Sequence, residues 1–248
     1  MSTRQAAAEV VVVDYGLGNL RSVTRGLERA GAGVEISGDP AALDRADGIV
    51  LPGVGAFSEG MDNAGPFREA LVEQAEAGTP LFGICLGMQM LLTTSEEADH
   101  EGEGDVEGLD LIPGENVRFR GDLKVPHMGW NELDVRREHP IVEGVDGVGS
   151  QTPREDGAGS SVDGVGSQTP REDGAGGSVD GEHAYFVHSY YADPTDPEAV
   201  VATTDYGTDF ASVVANERGN VFGTQFHPEK SGETGLRILR NFVEYCTV

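Results

Sequence analysis

Cysteine is nearly absent from this chain: Cys85 and Cys246 are the only two in 248 residues. Two thiols imply no disulfide framework, so the fold is expected to rest on an ordinary core in a reducing compartment, the cytoplasm. Long apolar runs are missing as well. No stretch approaches the roughly 18 apolar residues that a membrane span needs, and the apolar run Val10–Val13 near the start fits a strand rather than a secretion signal. Basic residues are scarce: 17 Lys and Arg stand against 43 Asp and Glu, a formal net charge of −26. That balance argues against a nucleic-acid ligand, whose phosphates require a basic footprint. The acids also fall in segments that read as folded, such as Glu69, Glu73 and Glu76, the pattern of a strongly solvated, salt-adapted surface.

Cofactor signatures are missing too. Gly16-Leu17-Gly18-Asn19 begins like a dinucleotide fingerprint, but Arg21 stands where the third glycine belongs, which excludes a nicotinamide or flavin site. The histidines show no metal spacing: His100 lies in an acidic loop, and His183 and His188 flank a strand. No metal and no cofactor are expected.

What is present includes a tandem repeat. Val145–Ser161 (VDGVGSQTPREDGAGSS) recurs as Val162–Ser178, with Ser160 replaced by Gly177, and a third copy starts at Val179. Repeats that stack into a solenoid carry an apolar face to bury. These units are Gly, Ser, Asp, Pro and Glu, and cannot offset an ordering cost of roughly 1–2 kcal/mol per residue. The expectation is a single domain, 1–248, interrupted at 145–181 by a disordered surface insertion, with a flexible interaction arm as the alternative use.

Around the insertion, strands and helices alternate. Glu9–Val13, Gly48–Leu51 and Pro80–Ile84 read as buried strands. Asn19–Ala30, Phe67–Ala77 (Leu71 and Val72 inward) and Leu86–Leu92 read as helices. This rhythm predicts an α/β fold with a mostly parallel central sheet and helices on both faces. Leu123–Val135, His183–Ala192, Ala199–Thr204, Ala211–Ala215 and Val221–Phe226 read as further strands, and Glu233–Tyr245 as a closing helix. In open α/β sheets the ligand crevice lies at the carboxyl ends of the strands.

Three motifs fall at such ends. Gly83-Ile84-Cys85-Leu86-Gly87 joins a strand to a helix, a thiol version of the nucleophile elbow, in which small neighbours permit a tight turn. A helix N-terminus there favours thiolate. His227-Pro228-Glu229 follows a strand; an extended backbone, which Pro228 favours at His227, would project residues i and i+2 to one side. The carboxylate could then fix the imidazole tautomer. Pro52-Gly53-Val54-Gly55 follows another strand and reads either as an ordinary turn or as backbone donors for an oxyanion. Cys246 has no such setting and is left structural.

GICLGMQ (Gly83–Gln89) and QFHPEKS (Gln225–Ser231) together resemble the class I (triad) glutamine amidotransferases, which have a flavodoxin-like fold with additional antiparallel strands. DYGLGNLRSV (Asp14–Val23), LPGVGAFSEGM (Leu51–Met61), VPHMGWN (Val125–Asn131) and YFVHSYYA (Tyr185–Ala192) are similar to the glutaminase subunits of imidazole glycerol phosphate synthases. The resemblance covers nearly the whole chain outside the amino-terminal tail and the repeat. It implies that Cys85 attacks the glutamine amide, that His227 relays the proton, and that Glu229 orients His227. It further implies an oxyanion site at the Gly53–Val54 peptide and the Leu86 N–H, and glutamine binding by Gln89, His188, Ser189 and Tyr190. The implied partner is a cyclase subunit, a (β/α)8 barrel forming a heterodimer with this chain and receiving its ammonia, with Trp130, Tyr185 and Lys230 as candidate interface residues. Competing readings are a glutaminase serving anthranilate, pyridoxal phosphate or nucleotide synthesis, a cysteine hydrolase of similar fold, and a non-catalytic regulatory module.

Overall fold

A computed structural model of the chain describes residues 7–97, 105–145 and 182–247. The insertion expected at 145–181, apart from Val145, lies outside the described residues, as does His100. The chain begins β1 (Glu9–Val13), α1 (Leu20–Ala30), β2 (Gly33–Ser37), β3 (Gly48–Gly53), α2 (Phe57–Ala64) and α3 (Arg68–Ala77). It continues β4 (Leu81–Cys85), α4 (Leu86–Met90), β5 (Leu92–Ser95), β6 (Val106–Glu107), β7 (Ile112–Arg118), β8 (His127–Glu132) and β9 (Asp134–Val135). It ends β10 (His183–His188), β11 (Tyr190–Pro194), β12 (Val200–Asp205), β13 (Asp209–Ala215), β14 (Val221–Thr224) and α5 (Gly232–Tyr245).

Successive strand side chains point to opposite faces. In β1, Val10 and Val12 therefore enter one apolar cluster and Val11 and Val13 another. A strand buried on both faces belongs inside a sheet with helices on either side. One face is covered by α1 and α5 through Val23, Leu27, Leu239 and Phe242. The other is covered by α2 and α3 through Phe57, Met61, Leu71 and Ala75. Val72, expected inward, is only half-buried, and Ala75 takes that place one turn beyond Leu71. Both α1 and α3 stop at a left-handed glycine, Gly31 and Gly78, whose N–H bonds back into the last turn. Phe82, Phe222 and Phe242 tie β4, β14 and α5 together at ring separations between 5.3 and 6.1 Å. Such pairs contribute about 0.5–1.5 kcal/mol each beyond their buried area.

The main sheet runs β2-β1-β3-β4-β14-β13-β11-β7-β5-β6, with β12 between β13 and β9. From β2 to β14 all neighbours are parallel, in the 2-1-3-4-5 order of flavodoxin-like sheets. β13, β11 and β7 extend it antiparallel, and β8 pairs with β10 in a separate ribbon. The mixed α/β architecture expected from the sequence is therefore the one observed.

Several elements differ in extent. The helix after Cys85 ends at Met90 because Leu92 is drawn into pairing with Ile112 at the start of β5. Leu123–Val135 is not one strand: regular pairing begins only at His127 and breaks before Asp134. His183–Ala192 divides at Ser189, its first half pairing with β8 and its second with β7 and β13. Among the described residues no helix is long and apolar enough to cross a membrane.

Candidate active site

Cys85 lies where β4 turns into α4, with φ 55° and ψ −107°. A non-glycine residue in this sparsely allowed region costs about 1–3 kcal/mol. Close approach explains the flanking glycines: a Cβ on Gly83 would lie 2.7 Å from Gly87 O, and one on Gly87 would collide with Leu51 O. The sulfur is thereby presented at the carboxyl edge of the parallel strands, although Cys85 as a whole is only 6% exposed. Gly53, the last residue of β3, is in register with Cys85. Beneath this loop the Tyr15 hydroxyl donates to Pro52 O at 2.7 Å. Burial first, and the charge of nearby Cys85 second, push the Tyr15 pKa well up.

His227 follows β14 and is 2% exposed. Its N–H donates to Tyr185 O at 3.0 Å, and the Ser231 hydroxyl donates to its carbonyl at 2.7 Å. The backbone at His227 is extended (φ −95°, ψ 97°), as Pro228 requires, but Pro228–Lys230 then forms a single 3-10 turn. Glu229 reaches the imidazole from that turn and not from the extended chain that the sequence suggested. Its Oε1 lies 3.0 Å from His227 Nδ1, with the carboxylate side chain fully buried. Burial lowers the His227 pKa, but hydrogen bonding and charge from Cys85 and Glu229 outweigh it and raise the value from 6.5 to about 9. Nε2 is buried without a completed hydrogen bond and interacts with Cys85. Bases in unliganded sites often have such loose contacts, which tighten when substrate arrives.

A cavity of about 310 Å³ opens over the sulfur, lined by Val54, Leu86, Gln89, His188, Ser189, Tyr190 and His227 among others. The turn at Ser189, where the chain passes from the ribbon to the main sheet, brings β10 and β11 to this wall. Gln89 directs its amide nitrogen to Tyr190 O at 2.8 Å and Gln225 Oε1 at 3.1 Å. Both ring nitrogens of His188 have partners, Tyr190 O at 2.8 Å and His127 Nδ1 at 3.1 Å. What His188 presents to the cavity is accordingly its ring surface and backbone. Sequence reading missed Glu97, Pro126 and Val187 in the lining. Glu97 accepts from Phe57 N at 2.7 Å, a contact forty residues away that no local pattern announces. A larger hollow of about 650 Å³ between Glu96, Arg118, Arg120 and Tyr191 contains neither the thiol nor the imidazole. Chemistry therefore selects the smaller one.

Outside the cavity, Met128 and Trp130 project from β8 at 63% and 57% exposure. Trp130 meets Tyr185 edge-on at 6.0 Å, and Lys230 Nζ lies 5.8 Å from the centre of the Tyr185 ring. The three residues named from the sequence as an interface thus adjoin one another on one face.

A buried thiol at a strained elbow, an imidazole beside it and a carboxylate behind the imidazole have the arrangement of nucleophile, base and orienter found in acyl-transfer enzymes. The family model for class-I glutamine amidotransferases matches residues 11–246, and the chain belongs to that family. Among its curated relatives, the chain is 78% identical over 246 residues to the imidazole glycerol phosphate synthase subunit HisH of Haloarcula marismortui, covering 99% of each sequence. It is 66% identical over 244 residues to the protein of that name from Halobacterium salinarum, covering 98% of this chain and 96% of the other. The solved structure of PurLQS from Thermotoga maritima shares 21% identity at a TM-score of 0.67, covering 97% of this chain and 99% of that one. That likeness bears on the fold alone.

Proposed function

We propose that this chain hydrolyses glutamine to glutamate and ammonia, as the glutaminase subunit of an imidazole glycerol phosphate synthase in histidine biosynthesis. The observation that carries the reading is the meeting of Cys85 and His227 in one cavity, with Glu229 bound behind the imidazole, on a chain that matches the named subunits across nearly its full length. Cys85 Sγ attacks the side-chain amide carbon of glutamine while His227 receives the thiol proton. The tetrahedral oxyanion is held by the N–H of Leu86 and one from the Gly53–Val54 peptide, each such donor contributing roughly 3 kcal/mol to the transition state. Collapse expels ammonia with the proton from His227 and leaves a thioester. Water, deprotonated by His227, then releases glutamate. Glu229 holds the imidazole in the tautomer with its Nδ1 proton towards the carboxylate. Gln89, Tyr190 and the His188–Ser189 backbone frame the glutamine.

The ammonia passes to a cyclase partner, since in bulk water it would be protonated and lose its nucleophilicity. Exposed Met128 and Trp130 with Lys230, one residue beyond the triad carboxylate, support this face as the docking surface. The net charge of −26 supports work in concentrated salt, where counterions screen self-repulsion. Glutamine hydrolysis measured with and without the cyclase barrel tests the proposal. Stimulation by that barrel, and not by other synthase partners, is the expected outcome. Equal turnover with an anthranilate or nucleotide synthase partner would assign the subunit elsewhere, and peptide cleavage would make it a hydrolase of another kind.

A further inference from the structure

Gln225, the first residue of QFHPEKS, is wholly buried between the nucleophile and Gln89. Its N–H donates to Ser212 O at 2.9 Å, which fixes its backbone to β13. Its Oε1 accepts from Gln89 at 3.1 Å, and its Nε2 lies 3.8 Å from Cys85 Sγ. An amide can be turned end for end, so the direction of the surrounding network decides which atom faces the sulfur.

A backbone carbonyl supplies that direction. Tyr190 O can only accept, and it faces Gln89 Nε2 and His188 Nδ1, both at 2.8 Å. His188 therefore carries its proton on Nδ1, leaving Nε2 to accept from His127 Nδ1 at 3.1 Å. His127 Nε2 in turn faces Asn131 Nδ2 at 3.4 Å. Both imidazoles are neutral, burial lowering His127 to about 4 and His188 to about 3. The same carbonyl orients the Gln89 amide. One of its hydrogens goes to Tyr190 O and the other to Gln225 Oε1, which leaves the Gln225 amino group for the sulfur. Turned over, Gln225 would set one amide nitrogen against another and a carbonyl oxygen against the sulfur.

We propose that Gln225 is a hydrogen-bond donor to the nucleophile, held in direction by Gln89. It stabilises the anionic sulfur while His227 holds the proton, and it aims Sγ into the cavity. This inference rests on Cys85 being the nucleophile.

Two variants test it in the full chain. Gln225→Met keeps the length of the side chain and loses the donor. Gln225→Glu keeps the shape and the acceptor for Gln89 but turns a carboxylate oxygen onto the sulfur. Iodoacetamide modification, which proceeds through the thiolate, is followed with the adduct located by mass spectrometry. Cys246, half-buried and with its pKa raised to about 12 by desolvation, is the internal reference. Cys85 in the native chain is expected to react, roughly tenfold more slowly in Gln225→Met and a hundredfold more slowly in Gln225→Glu. Glutamine turnover with the cyclase present is expected to fall in the same order, chiefly in kcat. Should Gln225→Glu not fold, Gln225→Met alone decides. Native alkylation and kcat in Gln225→Met, with only a lowered melting temperature, would reduce Gln225 to a packing role and overturn the proposal. A native chain unmodified at Cys85 would instead overturn the nucleophile reading on which it stands.

Discussion

The two halves of the main sheet solve different problems. In the parallel half, Ile49, Val50, Leu51, Leu81, Phe82, Val221 and Phe222 are fully buried apolar side chains, and the contribution to the site comes from backbone turns at the strand ends. In the antiparallel half and the β8–β10 ribbon, Asn116, His127, His188 and Thr204 are buried as well. These are held by hydrogen bonds: Asn116 to Gln89 O and Thr94 O, Thr204 to Glu132 O, and the imidazoles to one another. One half places the reacting atoms through steric exclusion, and the other shapes the cavity wall through an oriented polar chain. The cavity lies on the seam between them, so the two halves should fail in different ways.

Removing the sulfur breaks the contrast most sharply. Cys85→Ala should reduce glutamine hydrolysis in the complex by about 10⁴-fold or more, with association between subunits, measured by gel filtration, unchanged. Next comes the steric device itself. Gly87→Ala drives a methyl group into Leu51 O and should cost more than about 4 kcal/mol in urea unfolding, whereas an exposed glycine such as Gly121, with nothing near its Cβ position, should show no comparable collision.

The halves should also answer pH with opposite sign. His227 has a folded-state pKa of about 9 against 6.5. Its stabilisation is complete below pH 6.5 and disappears as the pH rises through 9, a loss of about 3 kcal/mol. Urea midpoints for the native chain and Glu229→Gln should converge over that interval, and a constant gap between them would deny the coupling. His127 and His188 are depressed to about 4 and 3. Their stabilisation is present above pH 6.5 and lost on acidification, roughly 2 kcal/mol apiece by about pH 5. His127→Asn, which lacks an imidazole, should flatten that acid limb while leaving the alkaline one in place.

Legibility in the sequence divides along the same seam. β1, β4 and α5 were readable because apolar residues recur at strand or helix period, and the elbow because Gly83 and Gly87 flank Cys85 at fixed spacing. In the antiparallel half, local pattern gives out. His183–Ala192 keeps a strand-like composition across Ser189, so nothing local signals that its two ends pair in different sheets. His188 read as a possible glutamine ligand, yet its nitrogens are satisfied by Tyr190 and by His127, sixty-one residues away. Glu97 carried no local signal at all, and Gln225 stood only as the first position of QFHPEKS. Each owes its place to a partner brought close only by the sheet.

The backbone at Cys85 has one more implication. The sulfur proposed as the nucleophile is borne by a residue in a conformation that only glycine adopts without strain. Cys85→Gly would relieve that strain but would remove the sulfur and its packing in the core. On the proposed mechanism, the demand for ammonia is what keeps sulfur at that corner in spite of the strain.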